Sequence, residues 1–210
     1  MEAVEDEIAL LYAWRDGDRR AGDELLRKYY RQVLGFFRLR MPDVADDLTQ
    51  RTFLVCMEGR SRVDSTFRGY LFGAARNVLY KHLRAAGRRA KRDAIVIPQA
   101  QSTLTPTTLV AMRQEHWLLL RALQQLNRTQ QEMVALHYVQ CLRAREIAEA
   151  MDLPVSTVTT RLARARDALR QQVESLPAPA KVRDSLVADL ETWTRSLGPL
   201  VEGPAEEATR

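Results

Sequence analysis

Apolar side chains recur along this chain every three or four residues, and strict alternation is nearly absent. That spacing is the period of helices with one buried face. Over residues 5–40 two helical patterns flank a break at Asp16-Gly17-Asp18. Ile8, Leu11 and Tyr12 make one apolar face, and Leu25, Leu26, Tyr29, Val33, Phe36 and Phe37 make another. Pro42 stops the second helix. A third is expected over residues 43–58, with Val44, Leu48, Phe53 and Val55 available for a core. A polar, Arg-bearing loop follows from Gly59 to Ser65, then a fourth helix from Thr66 to Leu83. From Arg84 to about Pro106 the pattern fails, as in an interdomain linker. Thr107 or Thr108 can cap a helix that continues through Leu126 and buries Leu109, Met112, Trp117, Leu120 and Leu123. Thr129 can cap the next, with Met133, Leu136 and Tyr138 in its core. After Val173 the stretch SLPAPAK is a second break. Val182, Leu186, Leu190, Trp193 and Leu197 then predict one amphipathic helix over Lys181 to Leu197, ahead of a Gly/Pro/Glu tail expected to be disordered.

Residues 143–170 carry the most specific local pattern. They read as a short helix from Ala144 to Met151, a turn at Asp152-Leu153, and a second helix starting near Pro154. Pro suits a first helical position because its missing N–H costs nothing there. Ser156 and Thr157 bring hydroxyls close to the exposed N–H groups of that turn. Val158, Leu162, Ala165 and Leu169 form an apolar stripe; Thr157, Thr160, Arg161 and Arg164 lie off it. An apolar back and a Thr/Arg front, held against a short partner helix, fit a DNA major groove. There Arg grips guanine edges or phosphates, and Thr serves either task. A generic helical hairpin with a solvated Arg face explains the periodicity equally well.

Charge separates the segments further. The 210 residues carry a formal net charge of +5, but residues 60–93 hold ten Lys and Arg against two Asp, a net +8. Residues 1–59 and 171–210 are each −3, so a polyanion is expected to meet the central block. Within it, Arg62, Phe67, Arg68, Tyr70, Phe72, Arg76, Asn77, Tyr80, Lys81 and Arg84 interleave cations with aromatics. Rings accept unstacked bases while Arg and Lys track phosphates, at roughly 1–3 kcal/mol per stacked base. Single-stranded or opening DNA suits this block better than closed duplex. The plainer reading places Leu71 and Phe72 in the core.

Cys56 and Cys141 are isolated, with no CxxC or Cys/His cluster, so neither metal nor other cofactor is expected. Two lone thiols and an acidic start, MEAVEDE, suit a cytoplasmic protein without a signal peptide. No apolar run approaches the roughly 18 residues of a membrane span, so no membrane insertion is expected. No nucleophile–base pair, phosphate loop or metal cluster marks an enzyme.

Three motifs carry a family resemblance. Ala45-Asp46-Asp47-Leu48-Thr49-Gln50-Arg51-Thr52-Phe53-Leu54 resembles the AEDLxQETFL motif of region 2 of bacterial sigma-70-family factors. Phe67-Arg68-Gly69-Tyr70-Leu71 with Ala75-Arg76-Asn77 and Arg84 is similar to the same region's F-x-x-W-L…A-R-N…D-x-x-R pattern. Leu126, Glu146-Ile147-Ala148, Thr157-Val158 and Arg164-Ala165-Arg166 resemble region 4. Order and spacing hold over about residues 5–172 with no room for regions 1.1 or 3, a layout similar to the extracytoplasmic-function (ECF) sigma factors.

The resemblance implies an all-α protein of two small helical domains. Region 2 would span 5–84, a flexible linker 85–106, region 4 with its helix-turn-helix 107–173, and a C-terminal extension with an amphipathic helix 174–210. It implies a sigma factor that binds core RNA polymerase and directs promoter-specific initiation. Asp47 and Gln50 would meet the β′ clamp helices. Arg62, Phe67, Arg68, Tyr70, Arg76, Asn77, Tyr80, Lys81 and Arg84 would recognise and open the −10 element. Ser156, Thr157, Thr160, Arg161 and Arg164 would read the −35 duplex, while region 4 also touches the β flap. Promoter DNA and core polymerase are the implied partners, and many family members are held by an anti-sigma factor. The alternative is a helix-turn-helix regulator that binds an operator without polymerase.

This chain departs from the family pattern at several positions. Tyr70 stands for the common Trp, Lys81 for Asp, and Asn127 for the Pro after Leu126. Cys141 stands where Gly is common, so a different turn is expected there. Thr159 replaces a cation and Ala163 is small, so the second helix is expected to rely on phosphates and DNA shape. The extension is expected to pack on region 4, or to sit against the basic region 2 surface and restrain activity; the plainer alternative is an add-on that only stabilises the fold.

Overall fold

The computed structural model describes residues 2–38, 40–63, 66–85 and 113–202, with the backbone alone at 2–6, 62 and 200–202. Every regular element among them is helical. Helices α1 (Glu2–Arg15) and α2 (Arg19–Arg38) fold back on each other across the Asp16–Asp18 turn. Gly17 turns there at φ +107°, and the Asp18 carboxylate accepts the Arg20 and Ala21 N–H groups that open α2. A 3-10 turn (Pro42–Val44) leads into α3 (Ala45–Glu58), and a second (Arg60–Arg62) precedes α4 (Phe67–Ala85). Leu25, Phe36, Phe37, Leu48, Phe67, Leu71 and Phe72 are fully buried among these four helices. Trp14 meets Phe67 edge-on at 5.8 Å between ring centroids, and Phe36 meets Phe72 at the same distance.

The buried stripes are rotated from their expected positions in two places. On α1 the core takes Leu11 and Trp14, while Ile8 and Tyr12 are exposed. On α3 it takes Leu48, Thr52 and Cys56, four residues apart, which turns Val55 outward. Thr49 and Thr52 reach burial by donating their hydroxyls to the Ala45 and Leu48 carbonyls, both at 2.8 Å.

The second half is built from α5 (Gln114–Gln125), α6 (Arg128–Val134), a π-helical turn (Ala135–Val139), α7 (Ala144–Met151) and α8 (Val155–Ser175). Asn127, not Thr129, caps α6. Its Oδ1 accepts the Gln130 N–H at 3.0 Å while Gln130 Oε1 accepts the Asn127 N–H at 3.1 Å. The residue in place of the family's Pro therefore still starts the helix. Trp117 is only half-buried. The expected linker beyond Ala85 and the positions Thr107, Thr108, Leu109 and Met112 lie outside the described residues.

The expected single C-terminal helix is three: α9 (Ala180–Ala188), α10 (Leu190–Arg195) and α11 (Leu197–Glu202). Asp189 leaves the helical region at φ −142° and restarts the chain by accepting the Thr192 N–H at 3.1 Å. Hydrogen bonding from the Thr192 side chain and backbone holds its carboxyl below the usual range. Val182, Leu186, Leu190 and Leu197 are all buried. Helix α9 lies on α5 and α8, and α10 on α5 and the π turn. Helix α11 reaches past the π turn to α2, in the other half of the molecule. The buried side chains form one continuous cluster across both halves.

Candidate nucleic-acid interface

The helix-turn-helix keeps its expected boundaries at α7 and shifts slightly at α8. Asp152 takes a left-handed conformation at φ +53°, and the Leu153 N–H reaches the Ala148 carbonyl at 2.9 Å, closing α7 in a Schellman turn. Pro154 is the residue before α8 and not its first helical position. No side chain caps α8; instead the Thr159 and Thr160 hydroxyls donate back to the Val155 and Ser156 carbonyls. Val158, Ala165 and Leu169 are buried as expected. Ser156, Thr160, Arg161 and Arg164 are exposed, and Thr157 is half-buried. Arg161 and Arg164 share an open groove with Arg128, Thr129 and Gln130 at the start of α6. Arg128, absent from the expected set, thus extends the cationic surface of α8.

In the turn before α7, Cys141 adopts φ +53°, the left-handed region that glycine occupies freely, and a side-chain-bearing residue holds that conformation at the expense of local strain.

Helix α3 carries Asp47, Gln50, Arg51, Leu54 and Glu58 three or four residues apart on one exposed face. Asp47 Oδ2 and Arg51 Nε pair at 3.0 Å, a half-exposed bridge that contributes little to stability. Leu54 is 57% exposed, with Val55 and Met57 beside it. Phe53 is half-buried and packs near Tyr30.

The residues of α4 divide into three groups. Phe67 is a correction: at 1% exposure, held between Trp14 and Tyr29, its ring has no face open to a base. Asn77, Lys81 and Arg84 are exposed. Arg68, Arg76 and Tyr80 are engaged by the other half of the chain. Arg76 Nε binds Glu132 Oε1 at 2.7 Å. The Tyr80 hydroxyl donates to Glu132 Oε2 at 3.3 Å, and Tyr80 has the Arg76 and Arg128 guanidiniums 4.8 and 4.6 Å from its ring centroid. Burial, then the Glu132 charge, pushes the Tyr80 phenol above its ordinary range. Arg68 Nη2 donates to the Gln140 carbonyl at 2.7 Å, and its Nη1 lies 3.6 Å from Glu146 Oε2. Tyr70 is half-buried, and the Arg62 side chain lies outside the described part.

The helices can approach because small residues line the crossing. A Cβ on Gly73 would sit 3.3 Å from Ala150 Cα, so α4 and α7 meet nearly backbone to backbone. Thr66 Oγ1 accepts the Gly69 N–H, capping α4, and donates to Glu149 Oε2 at 2.7 Å. Glu146 also accepts the Arg143 N–H at 2.6 Å, so one carboxylate starts α7 and pairs with Arg68. Beside the crossing a cleft of about 570 Å³ is lined by Arg76, Tyr80, Arg84, Arg128, Glu132 and Arg161. Arg40, also absent from the expected set, is buried within electrostatic reach of Glu132 and Tyr80. It donates to the Phe36 carbonyl at 2.7 Å, and burial lowers its pKa to about 10 against the opposing pull of Glu132 and Tyr80.

Burial pushes the Cys56 thiol up to about 12, which keeps it from reacting as a thiolate. Among the described residues no group of three or more His, Cys, Asp or Glu is placed to hold a metal ion. None of the described helices is long and apolar enough to cross a membrane.

Two family models match the chain. One, described as Sigma-70 region 2, covers residues 25–89, and another, Sigma-70 region 4, covers residues 116–178. Together they take in more than half of the sequence. The RNA polymerase sigma-H factor of Pseudomonas aeruginosa is 29% identical over 189 residues, 84% of this chain and 98% of that protein. The ECF RNA polymerase sigma-E factor of Salmonella typhimurium is 28% identical over 188 residues, 83% of this chain and 97% of its own length. A solved structure of the sigma factor RpoE from Bartonella quintana, in complex with the anti-sigma factor NepR, superposes with a TM-score of 0.55 at 20% identity. It covers 76% of this chain and 99% of the other. These relatives favour a polymerase subunit over an independent operator-binding regulator, and the family is one of transcription initiation factors. With both regions present in order on one all-helical chain, and ECF factors matched along nearly their whole length, the chain belongs to the sigma-70 family as an ECF RNA polymerase sigma factor.

Proposed function

We propose that this sigma factor docks on core RNA polymerase through the exposed face of α3, at Asp47, Gln50 and Leu54, which would meet the β′ clamp helices. Region 4, residues 107–173, reads the −35 duplex with Ser156, Thr157, Thr160, Arg161 and Arg164, and touches the β flap. Region 2, residues 5–84, recognises and opens the −10 element with Arg62, Arg68, Tyr70, Arg76, Asn77, Tyr80, Lys81 and Arg84. The linker, 85–106, joins them, and residues 174–210 form the extension. The protein acts by binding and performs no catalysis itself; its place is the cytoplasm, where polymerase and promoter DNA are.

The observation that carries this reading is the exposed Thr/Arg front of α8 above a buried Val158/Ala165/Leu169 back. That division suits a recognition helix in a major groove. On α4 the cations and the Tyr80 ring suit an unpaired strand. The complex of the Bartonella RpoE with NepR supports adding an anti-sigma factor to the partners. Purified chain and core RNA polymerase, assayed for initiation on genomic promoter fragments, test the reading. Binding to core and initiation at defined sites are expected; a chain that leaves core inactive overturns it.

A further inference from the structure

The −10 and −35 elements are centred about 25 base pairs apart, roughly 85 Å along straight duplex at ~3.4 Å per pair. In this structure the residues assigned to them share a single cleft: Arg76, Tyr80 and Arg84 from α4 face Arg128 and Arg161 from region 4. One arrangement cannot serve both elements. The contacts that close it are specific. Glu132, Glu146 and Glu149 of region 4 place carboxylates on Arg76, Arg68 and Thr66 of region 2, taking the positions that phosphates would occupy.

The extension is what spans the closed pair. Helix α9 is anchored on α5 and α8 by Val182 and Leu186. Helix α10 is tied down at Glu191, which accepts the Tyr138 hydroxyl at 3.3 Å and pairs with Arg166 at 3.3 Å. Next, α11 crosses the π turn so closely that a Cβ on Gly198 would lie 2.9 Å from the Val139 carbonyl oxygen. With Leu197 buried, it comes to rest on α2 of region 2. The π turn that it covers also ends at Gln140, whose carbonyl holds Arg68. The exposed face of α3 stays clear, so polymerase can engage it while the α4 face is shut.

We propose that the C-terminal extension, helices α9–α11, is an autoinhibitory clasp that holds region 4 against the DNA-facing side of α4 until core polymerase separates the two regions. This rests on the assignment of α4 and α8 to DNA. Closure lowers apparent affinity for any partner that needs the regions apart, in proportion to the open fraction.

The test compares full-length protein with a chain ending at Ser196, which lacks α11 and the tail, and with full-length Gly198→Val, which blocks the close approach to Val139. Circular dichroism verifies that each is helical; if the shortened chain unfolds, Gly198→Val alone decides. Small-angle scattering and core-polymerase titration are the readouts. A compact chain of this length has a radius of gyration of about 17 Å. The full chain should fall near that value, both variants should be clearly larger, and both should bind core at least about tenfold more tightly. Variants that keep the full chain's radius, or that expand without gaining affinity, overturn the clasp. If no form binds core, the polymerase assignment itself fails, and the scattering alone still judges whether α11 holds the regions together.

Discussion

Arg76 Nε and Glu132 Oε1 meet at 2.7 Å between the two halves of the fold, joining α4 to α6. Glu132 is 7% exposed and binds Tyr80 as well, so its carboxylate is satisfied only while the regions touch. Glu132→Gln keeps the shape and removes the charge. A charge-assisted hydrogen bond of this kind contributes about 1.5–3 kcal/mol. Denaturation of Glu132→Gln, Arg76→Gln and the double variant should give a coupling energy near the lower end of that range, since Arg76 retains some solvent contact. Additive effects within about 0.3 kcal/mol would show that the pair carries no interaction of its own.

This contact was the part of the molecule least legible in the sequence. Nothing periodic at Glu132 or Glu149 announces a partner 56 or 83 residues away. The helices themselves, and the buried back of α8, followed from the spacing of Val158, Ala165 and Leu169. Phe67 did not, since an aromatic between cations looks alike whether it stacks on a base or on Trp14. Nor did the break at Asp189. The apolar stripe runs through it unbroken, and only docking against α5, the π turn and α2 requires the chain to bend there.

Cys141 occupies φ +53° without the freedom of glycine. Cys141→Gly should therefore stabilise the protein by about 0.5–1 kcal/mol, even after the glycine's extra entropy in the unfolded chain. A thermal midpoint about 1–4 °C higher is expected for a domain of this size. Cys141→Val, β-branched at the same angle, should fall by more than glycine gains. A midpoint unchanged by both would mean that the turn is unstrained.

His116 links the extension to α5. Its Nδ1 accepts the Arg113 N–H at 3.2 Å, which assigns the proton to Nε2, 2.9 Å from Ser196 Oγ. Ser196 in turn donates to the Trp193 carbonyl at 2.7 Å. Burial, and then the Arg113 guanidinium, hold the imidazole below its ordinary pKa, against the smaller opposing effect of Glu115. A histidine harder to protonate in the folded state contributes stability that is full above about pH 6.5 and is lost as pH falls through the lower folded value. Hydrogen exchange over 190–198 should stay slow above about pH 6.5 and accelerate below it. In His116→Gln that difference should vanish once intrinsic exchange rates are divided out; an identical pH slope in both proteins would remove His116 from the linkage.

Leu54 is a large apolar side chain left 57% exposed on the charged face of α3, one turn beyond Gln50 and two beyond Asp47. The fold gains little from it there. Leu54→Glu should therefore leave the thermal midpoint unchanged within about 0.5 kcal/mol of stability. At the centre of a protein contact, an apolar anchor of this type contributes 2 kcal/mol or more. Affinity for core polymerase should then fall by roughly 30-fold, at about 1.4 kcal/mol per tenfold. Asp47→Ala and Gln50→Ala, on the polar part of the same face, should cost less than Leu54→Glu. A stable Leu54→Glu protein that binds core as the parent does would move the polymerase contact off this face of α3.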